Sequence, residues 1–342
     1  MDQLWLILIV LIGLIILQIL KTILQDSLIN PYLESREQAK EGFEGSKDPE
    51  GSKEETKASD ETKARDETQG MVKWLDNKDL YDTFYAGIYN QLTQGSTRTQ
   101  AEVGLMLHEW TKRGEDLKTF EVLDVGCGTG IAVATMAKMG VKQATGLDSS
   151  KEMLKECEET LKKSTLTDDQ LAKVSWRKGD VIDPSACAGG EFTHAFLLYF
   201  TVYYFADKET VFRNLFFWVK PGGKMVIHVV NKHKFDPMLE SSAPWLGFSL
   251  QKYSDKRIKK SEVTFNKFKY TGEFDLQDPL AEFRETFRFK DGKVRRQKHT
   301  FRMEDMNVIV GYAKAAGWDY VGHTDLTPIG FEYAFHLHFK HP

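Results

Sequence analysis

The sequence predicts an α/β domain built on a doubly wound, mostly parallel sheet, carried behind a membrane anchor and a charged tether. Three observations lead there. Strand-like and helix-like stretches alternate from about residue 120 to about residue 230. The stretch "VLDVGCGTG", Val122 to Gly130, joins the first such strand to the first such helix through three glycines. A long apolar run opens the chain, and the segment after it contains almost nothing that can be buried.

At 342 residues, with 41% hydrophobic and 12% aromatic content, the chain has material for one large domain plus accessories, or for two domains. A net charge of −4 and no long basic run leave no electrostatic footprint for nucleic acid, and no nucleic-acid partner is expected. Cys127, Cys157 and Cys187 form no CxxC pair, which suits a reducing compartment rather than a disulfide-stapled secreted fold. No His/Cys cluster has the spacing of a structural zinc site, so no metal is expected.

Leu4 to Leu24 is apolar but for Gly13, Gln18, Lys21 and Thr22. As a helix rising ~1.5 Å per residue it matches the thickness of a hydrocarbon core. A cleaved signal peptide fits less well, because no basic segment precedes the run and no small-x-small site follows it. Asp2 lies before the run and Lys21, Arg36 and Lys40 after it, which by the positive-inside rule directs the C-terminal side to the cytosol. The expectation is a single-pass membrane protein, with residues 1–33 as anchor and flank. Residues 34–70 repeat charged hexads ("EGSKDP", "EGSKEE", "TKASDE", "TKARDE") and read as a solvated, disordered linker. Residues 71–342 form the globular part.

Within it, "FEVLDVG" reads as a strand, "IAVATMAKMG" as a helix closed by glycine, and "QATGLD" as a second strand. "KEMLKECEETLKK" is an amphipathic helix, followed by strand "KVSWRKGD", strand "THAFLLY", helix "KETVFRNLFFWV" and strand "GKMVIHVV". This order calls for parallel strands with right-handed crossovers. From about 234 to 302, alternating "VTFNKFKYTGEFDL" and "LAEFRETFRFKDGKVRRQKHTFRM", with a turn at Asp291-Gly292, predict an antiparallel insert. Its basic residues Arg288, Lys290, Lys293, Arg295, Arg296 and Lys298 suit anionic headgroups or an acidic substrate, or merely protect a sheet edge.

Ligands of such sheets bind at the carboxyl ends of the strands. Gly126, Gly128 and Gly130 leave bare main chain at the first turn, and Asp148 closes the second strand 18 residues after Gly130, placed to accept from two ribose hydroxyls. The spacing is GxGxG rather than the GxGxxG of a pyrophosphate cradle, and Asp124 beside it repels a pyrophosphate while suiting an amine-bearing ligand. S-adenosyl-L-methionine has the matching parts.

Here the chain resembles the class I S-adenosylmethionine-dependent methyltransferases of small-molecule type: "VLDVGCGTG" as their first motif, "GLDSS" as their second, "KGDVID" at the third strand, and "VKPGGKMVIHVV" leading into the fifth. "AGWDYVGHTDL" and "FEYAFHLHFKHP" resemble their last two strands, the final one antiparallel. The resemblance implies a seven-stranded Rossmann-like sheet. It also implies cofactor contacts from Asp124, Gly126, Cys127, Gly128, Gly130, Asp148, Ser149, Asp180, Val181 and Tyr199, with Asp180 accepting from the adenine amino group. One departure is Thr193-His194 at the start of the fourth strand, where an acid is common; the position is expected to serve the fold.

Methyl transfer from a sulfonium needs alignment above all, and a base only where the acceptor arrives protonated. Tyr199 and Tyr203 are the candidate acceptor-side residues, with Tyr204 beside them, because tyrosines ring cations through their faces. His233, after the fifth strand, is the candidate base. Tyr81, Tyr85 and Tyr89 recur at i, i+4, i+8; a lid helix and a packed helix face both fit the stripe. Arg98 reads as solvent-facing, with a contact to the cofactor carboxylate as the alternative. The acceptor is expected to be a small molecule or lipid headgroup, methylated on nitrogen rather than oxygen. The alternatives are a protein methyltransferase, a non-catalytic tethered scaffold, and a nicotinamide oxidoreductase that the glycine spacing disfavours.

Overall fold

A computed structural model describes residues 74–342 except 94, 113 and 238–258, with the side chain of Ser96 also left out. The apolar run at 4–24 and the charged repeats at 34–70 lie outside the described residues; among the described residues no helix is long and apolar enough to cross a membrane. From β1 (Trp74–Leu75) the chain enters helices α1 (Thr83–Thr93) and α2 (Gly95–Thr111). There follow β2 (Glu121–Val125), α3 (Ile131–Met139), β3 (Gln143–Asp148), α4 (Lys151–Lys162), the short α5 (Asp168–Leu171) and β4 (Val174–Lys178). Next come β5 (Phe192–Leu197), a 3-10 turn (Thr201–Tyr204), α6 (Lys208–Trp218) and β6 (Val219–Val230). The insert supplies β7 (Lys260–Thr264), β8 (Phe268–Gln277), β9 (Leu280–Phe289) and β10 (Val294–Arg302), and the chain closes with α7 (Met306–Ala315), β11 (Asp319–Asp325) and β12 (Ala334–Lys340).

Seven strands form one sheet in the order β11-β12-β6-β5-β2-β3-β4. The pairs from β6 across to β4 are parallel, and β12 alone runs against its neighbours β6 and β11. Val122, Leu123 and Val125 of β2 are all buried, as helices on both faces of a parallel sheet require. Local chemistry sets the helix ends. Ser150 Oγ accepts from Met153 N to start α4, and Gly140 at φ 97° closes α3.

The second sheet has the order β1-β10-β9-β8-β7. Its four insert strands are antiparallel, with the predicted turn at Asp291-Gly292, where Gly292 has φ 85°. The two-residue β1 runs parallel to β10 and covers that edge. Of the basic cluster, Arg295 Nη1 meets Asp82 at 2.6 Å and Lys298 meets Glu282 at 3.0 Å, so part of its charge is spent inside the domain.

Two buried polar groups pin the main sheet. Glu102 of α2 accepts from His228 of β6 and His336 of β12, all three being at most 3% exposed. Burial alone raises a carboxyl, but both imidazoles outweigh it here and hold Glu102 far below the usual carboxylate range. Among the described residues this is the one group of His, Cys, Asp and Glu side chains close enough to hold a metal ion, and its hydrogen bonds already satisfy the charge. At the start of β5, Thr193 Oγ1 accepts from Glu121 N at 2.9 Å, and His194 stacks 3.9 Å from Phe120 and 4.4 Å from Trp110. The position does serve the fold.

Burial, helped by the Lys224 charge, pushes His194 down to about 3. The native imidazole is therefore neutral where the unfolded one, near 6.5, takes a proton. Stability is lost as pH falls from about 6.5 toward 3, by ~1.4 kcal/mol per pH unit for this group. Denaturant titrations at pH 7 and pH 5 should show His194→Phe losing less stability on acidification than the wild type, by about 2 kcal/mol.

Candidate active site

The turn from β2 into α3 is built backwards from β3. Gly126 N and Cys127 N both donate to Leu147 O, at 2.8 and 3.2 Å, so the loop folds over the end of its neighbour. Asp148 Oδ2 then accepts from Gly128 N and its Oδ1 from Ser150 N, both at 2.8 Å. Gly126, Gly128 and Gly130 have φ of 68°, 54° and 76°, a region costly for side-chain-bearing residues. They do different work. A Cβ at Gly126 would lie 2.7 Å from Thr201 Cγ2, and one at Gly130 would lie 2.5 Å from the Trp176 ring. At Gly128 it would meet nothing within 4 Å. The expectation that all three glycines open to a ligand is thus corrected at Gly130, which admits Trp176, while Gly126 both admits Thr201 and borders free space and Gly128 faces free space outright.

That space is a cavity of about 900 Å³. Gly126, Gly128, Asp148, Ser149, Asp180, Val181 and Tyr199 line it, bringing together the ends of β2, β3, β4 and β5. Other predicted site residues stand off its wall. Cys127 and Gly130 turn into the core beside Trp176 and Cys157, whose thiol donates to Gly128 O at 3.1 Å. Asp124 is buried behind the loop, and burial, together with the Asp148 and Glu102 charges, pushes its carboxyl well above the usual range. Asp124 does not line the cavity, so its expected role against pyrophosphate falls away. Tyr203 is core: its hydroxyl is taken up by Val230, accepting from the amide at 2.8 Å. His233 lies in the open, 3.8 Å from Asp278.

The Asp148 carboxyl is also raised by burial, though the amides of Ser150, Gly128 and Ser149 pull the other way. Its two oxygens hold these amides while the residue lines the cavity. Asp180 is exposed at the β4 end, fixed by accepting from Ile182 N at 3.0 Å.

The facing wall is aromatic. Tyr81, Tyr85 and Tyr89 all line the cavity, joined by Tyr204 and, from the insert, Phe274, Phe283, His299 and Phe301. The tyrosine stripe therefore faces the site. Arg98 corrects another expectation: it is buried, with its guanidinium carbon 3.6 Å from the centre of the Tyr199 ring. His299 and the wholly buried Glu285 behind it were not among the residues singled out from sequence. A signal for them exists. Ala281, Phe283, Glu285 and Phe287 are the inward set of β9, and Glu285 breaks that apolar alternation.

Residues 122–223 match the family described as a methyltransferase domain. No curated protein matches the chain. A S-adenosylmethionine-dependent methyltransferase from Clostridium acetobutylicum is similar in structure, with 17% identity, TM-score 0.55, and coverage of 75% of this chain and 97% of that one. So is the CcbJ methyltransferase from Streptomyces caelestis, with 14% identity, TM-score 0.56, and 77% and 98% coverage. The SAM-bound CalS10, an amino pentose methyltransferase from Micromonospora echinaspora, gives 17% identity, TM-score 0.52, and 77% and 99% coverage. Residues 122–223 therefore carry a methyltransferase domain, and the fold around it is shared with S-adenosylmethionine-dependent methyltransferases. The cavity suits that cofactor on its own terms: an acid, Asp148, lines it at the β3 end, Gly128 offers a side-chain-free face, and Val181 lines it beside exposed Asp180.

The different surroundings of the glycines are measurable. Gly130→Ala should cost ~1–3 kcal/mol of stability more than Gly128→Ala, because only it overpacks against Trp176. In calorimetry with S-adenosylhomocysteine, Gly128→Ala should lose affinity while its unfolding midpoint stays closer to the wild type.

Proposed function

We propose that this enzyme methylates a small-molecule or lipid-headgroup acceptor, on nitrogen rather than oxygen, inside the aromatic cavity. What carries the reading is the insert: its second sheet walls the site opposite the glycine loop with Phe274, Phe283, His299 and Phe301. A cavity of about 900 Å³ that must take cofactor and acceptor together favours a modest acceptor over a folded protein surface. The rings of Tyr81, Tyr85 and Tyr204 favour a cationic guest, since their faces attract an alkylammonium as they attract a sulfonium.

In this reading Asp148 accepts from the ribose hydroxyls, Asp180 and Val181 hold the adenine, and Gly126 to Gly128 admit the amino-acid end beside Tyr199. S-adenosylmethionine supplies an electrophilic methyl on a positively charged sulfur. The protein's part is to align the acceptor and to keep water out. The membrane address belongs to the same proposal: the apolar run at 4–24 anchors the chain and the catalytic domain faces the cytosol.

Incubating the full chain with methyl-labelled S-adenosylmethionine and extract separated into lipid, metabolite and protein fractions should put label into lipid or metabolite. Label confined to protein overturns the acceptor class. Asp148→Ala should weaken cofactor binding by ~1–3 kcal/mol, as a buried hydroxyl pair loses its charged acceptor; unchanged affinity would place the ribose elsewhere.

A further inference from the structure

Behind the aromatic wall lies a polar chain that the cofactor does not need. It begins at Glu285, which is 0% exposed in the middle of β9. Three groups meet its carboxylate: Tyr270 Oη donates to Oε1 at 2.8 Å, and Gln297 Nε2 and His299 Nε2 reach Oε2 at 2.6 and 2.7 Å. The amide orientation of Gln297 is fixed, because its oxygen accepts from Arg295 Nε at 2.8 Å and so its nitrogen must face Glu285. Burial alone raises this carboxyl, yet His299 and the other two donors outweigh it and keep it below the usual range. Glu285 is an anion in a dry sheet core.

An anion only accepts. Nε2 of His299 must therefore carry a hydrogen, and in the neutral ring Nδ1 is then the acceptor. Nδ1 faces Tyr204 Oη, and Tyr81 Oη donates to Tyr204 Oη at 2.6 Å. All arrows point one way: Tyr81 to Tyr204 to His299, with Glu285 behind. Tyr81, Tyr204 and His299 all line the cavity. Burial first, and neighbouring groups after it, push the Tyr81 and Tyr204 phenols well above their ordinary range, so they carry a proton without resting as anions.

We propose that His299, oriented by Glu285, is the proton acceptor for methyl transfer, reached from the acceptor through Tyr81 and Tyr204. The proposal rests on the methyltransferase reading above and adds the fate of the acceptor's proton. The acceptor's lone pair forms the bond to the methyl carbon, and the electrons of the breaking carbon–sulfur bond stay on sulfur. The acceptor's N–H or O–H bond gives its proton to Tyr81 Oη, Tyr81 passes its own to Tyr204, and Tyr204 passes its own to His299 Nδ1. The positive charge that leaves sulfur reappears as an imidazolium held against a carboxylate. Geometry and charge are those of a hydroxyl–histidine–carboxylate triad. His299 and the tyrosines are catalytic residues, while Glu285 and Gln297 are positioning residues.

The groups facing this imidazole are Tyr81 before α1, Tyr85 on it with Oη 3.2 Å from Nε2, Tyr204 from the 3-10 turn, and Glu285 from β9. Beyond them stand Tyr270 on β8, and Gln297 and Arg295 on β10.

The test has two readouts on the full chain. In ¹⁵N-histidine spectra without ligand, His299 should show the Nε2–H tautomer, and Glu285→Gln should abolish that preference. With labelled S-adenosylmethionine and the label-accepting extract fraction as probe, His299→Gln should lower kcat by about 100-fold or more with KM nearly unchanged. A general base at His299 makes the wild-type rate rise with pH, and the variant should lose that rise. Tyr204→Phe removes a single oxygen and guards against misfolding; it should cut kcat at least about tenfold while S-adenosylhomocysteine affinity and melting temperature hold. An Nδ1–H tautomer, or a Tyr204→Phe rate within threefold of wild type, in a chain that still binds S-adenosylhomocysteine, overturns the relay and leaves the cofactor reading standing. A wild-type chain that does not bind S-adenosylhomocysteine overturns both.

Discussion

The Asp148 carboxylate is the fastening on which the site depends. Its two oxygens hold the amides of Gly128 and Ser150, so one side chain fixes both the glycine loop and the start of α4. Ser150 extends the connection. Its hydroxyl accepts from Met153 N to cap that helix and donates to Tyr81 O at 2.9 Å. The aromatic wall is thereby tied to the strand end that carries the cavity-lining acid. Loosening Asp148 would shift the loop and the first tyrosine of the opposite wall together.

The domain splits its chemistry between two sheets. The seven-stranded sheet gathers acids and bare main chain at its carboxyl edge. The five-stranded insert brings rings, one histidine and one buried carboxylate. Both halves contain an ionised Glu far from water, and each solves the problem with imidazole partners: Glu102 with His228 and His336, Glu285 with His299. A buried carboxylate without partners would cost several kcal/mol, on the order of what keeps a domain folded. That burden explains why all three donors to Glu285 come from the same small sheet, whose register sets Gln297 opposite Glu285.

Much of the architecture was legible because periodicity reports burial. The five parallel strands of the main sheet, helices α3, α4 and α6 between them, and the antiparallel insert with its Asp291-Gly292 turn follow from apolar spacing and glycine position, whereas β11 and β12 come from the family resemblance. The two-residue β1 was not legible, since a pair of residues has no period. The glycine-loop side of the cavity was largely legible, because the residues that line it there sit in one short motif after another. The acceptor side was not. Glu285 and His299 meet only through strand register, and Tyr203 and Tyr204 differ by one step of a 3-10 turn that sends one hydroxyl to Val230 and the other to His299. Arg98 carries a charge that composition assigns to the surface, and only the packed helix shows it lying over Tyr199. His233 failed for the opposite reason: a loop offers nothing to bury it.

Tyr199 has φ 54°, a left-handed backbone for a bulky residue, and the Arg98 guanidinium sits on its ring. Glycine at this position would release ~1–2 kcal/mol of backbone strain. It would also delete a panel of the cavity and leave a buried cation without its platform. Selection for thermal robustness and selection for turnover thus pull in opposite directions at one residue, and a consensus-style thermostabilised descendant of this chain would be at risk of gaining degrees while losing its chemistry there.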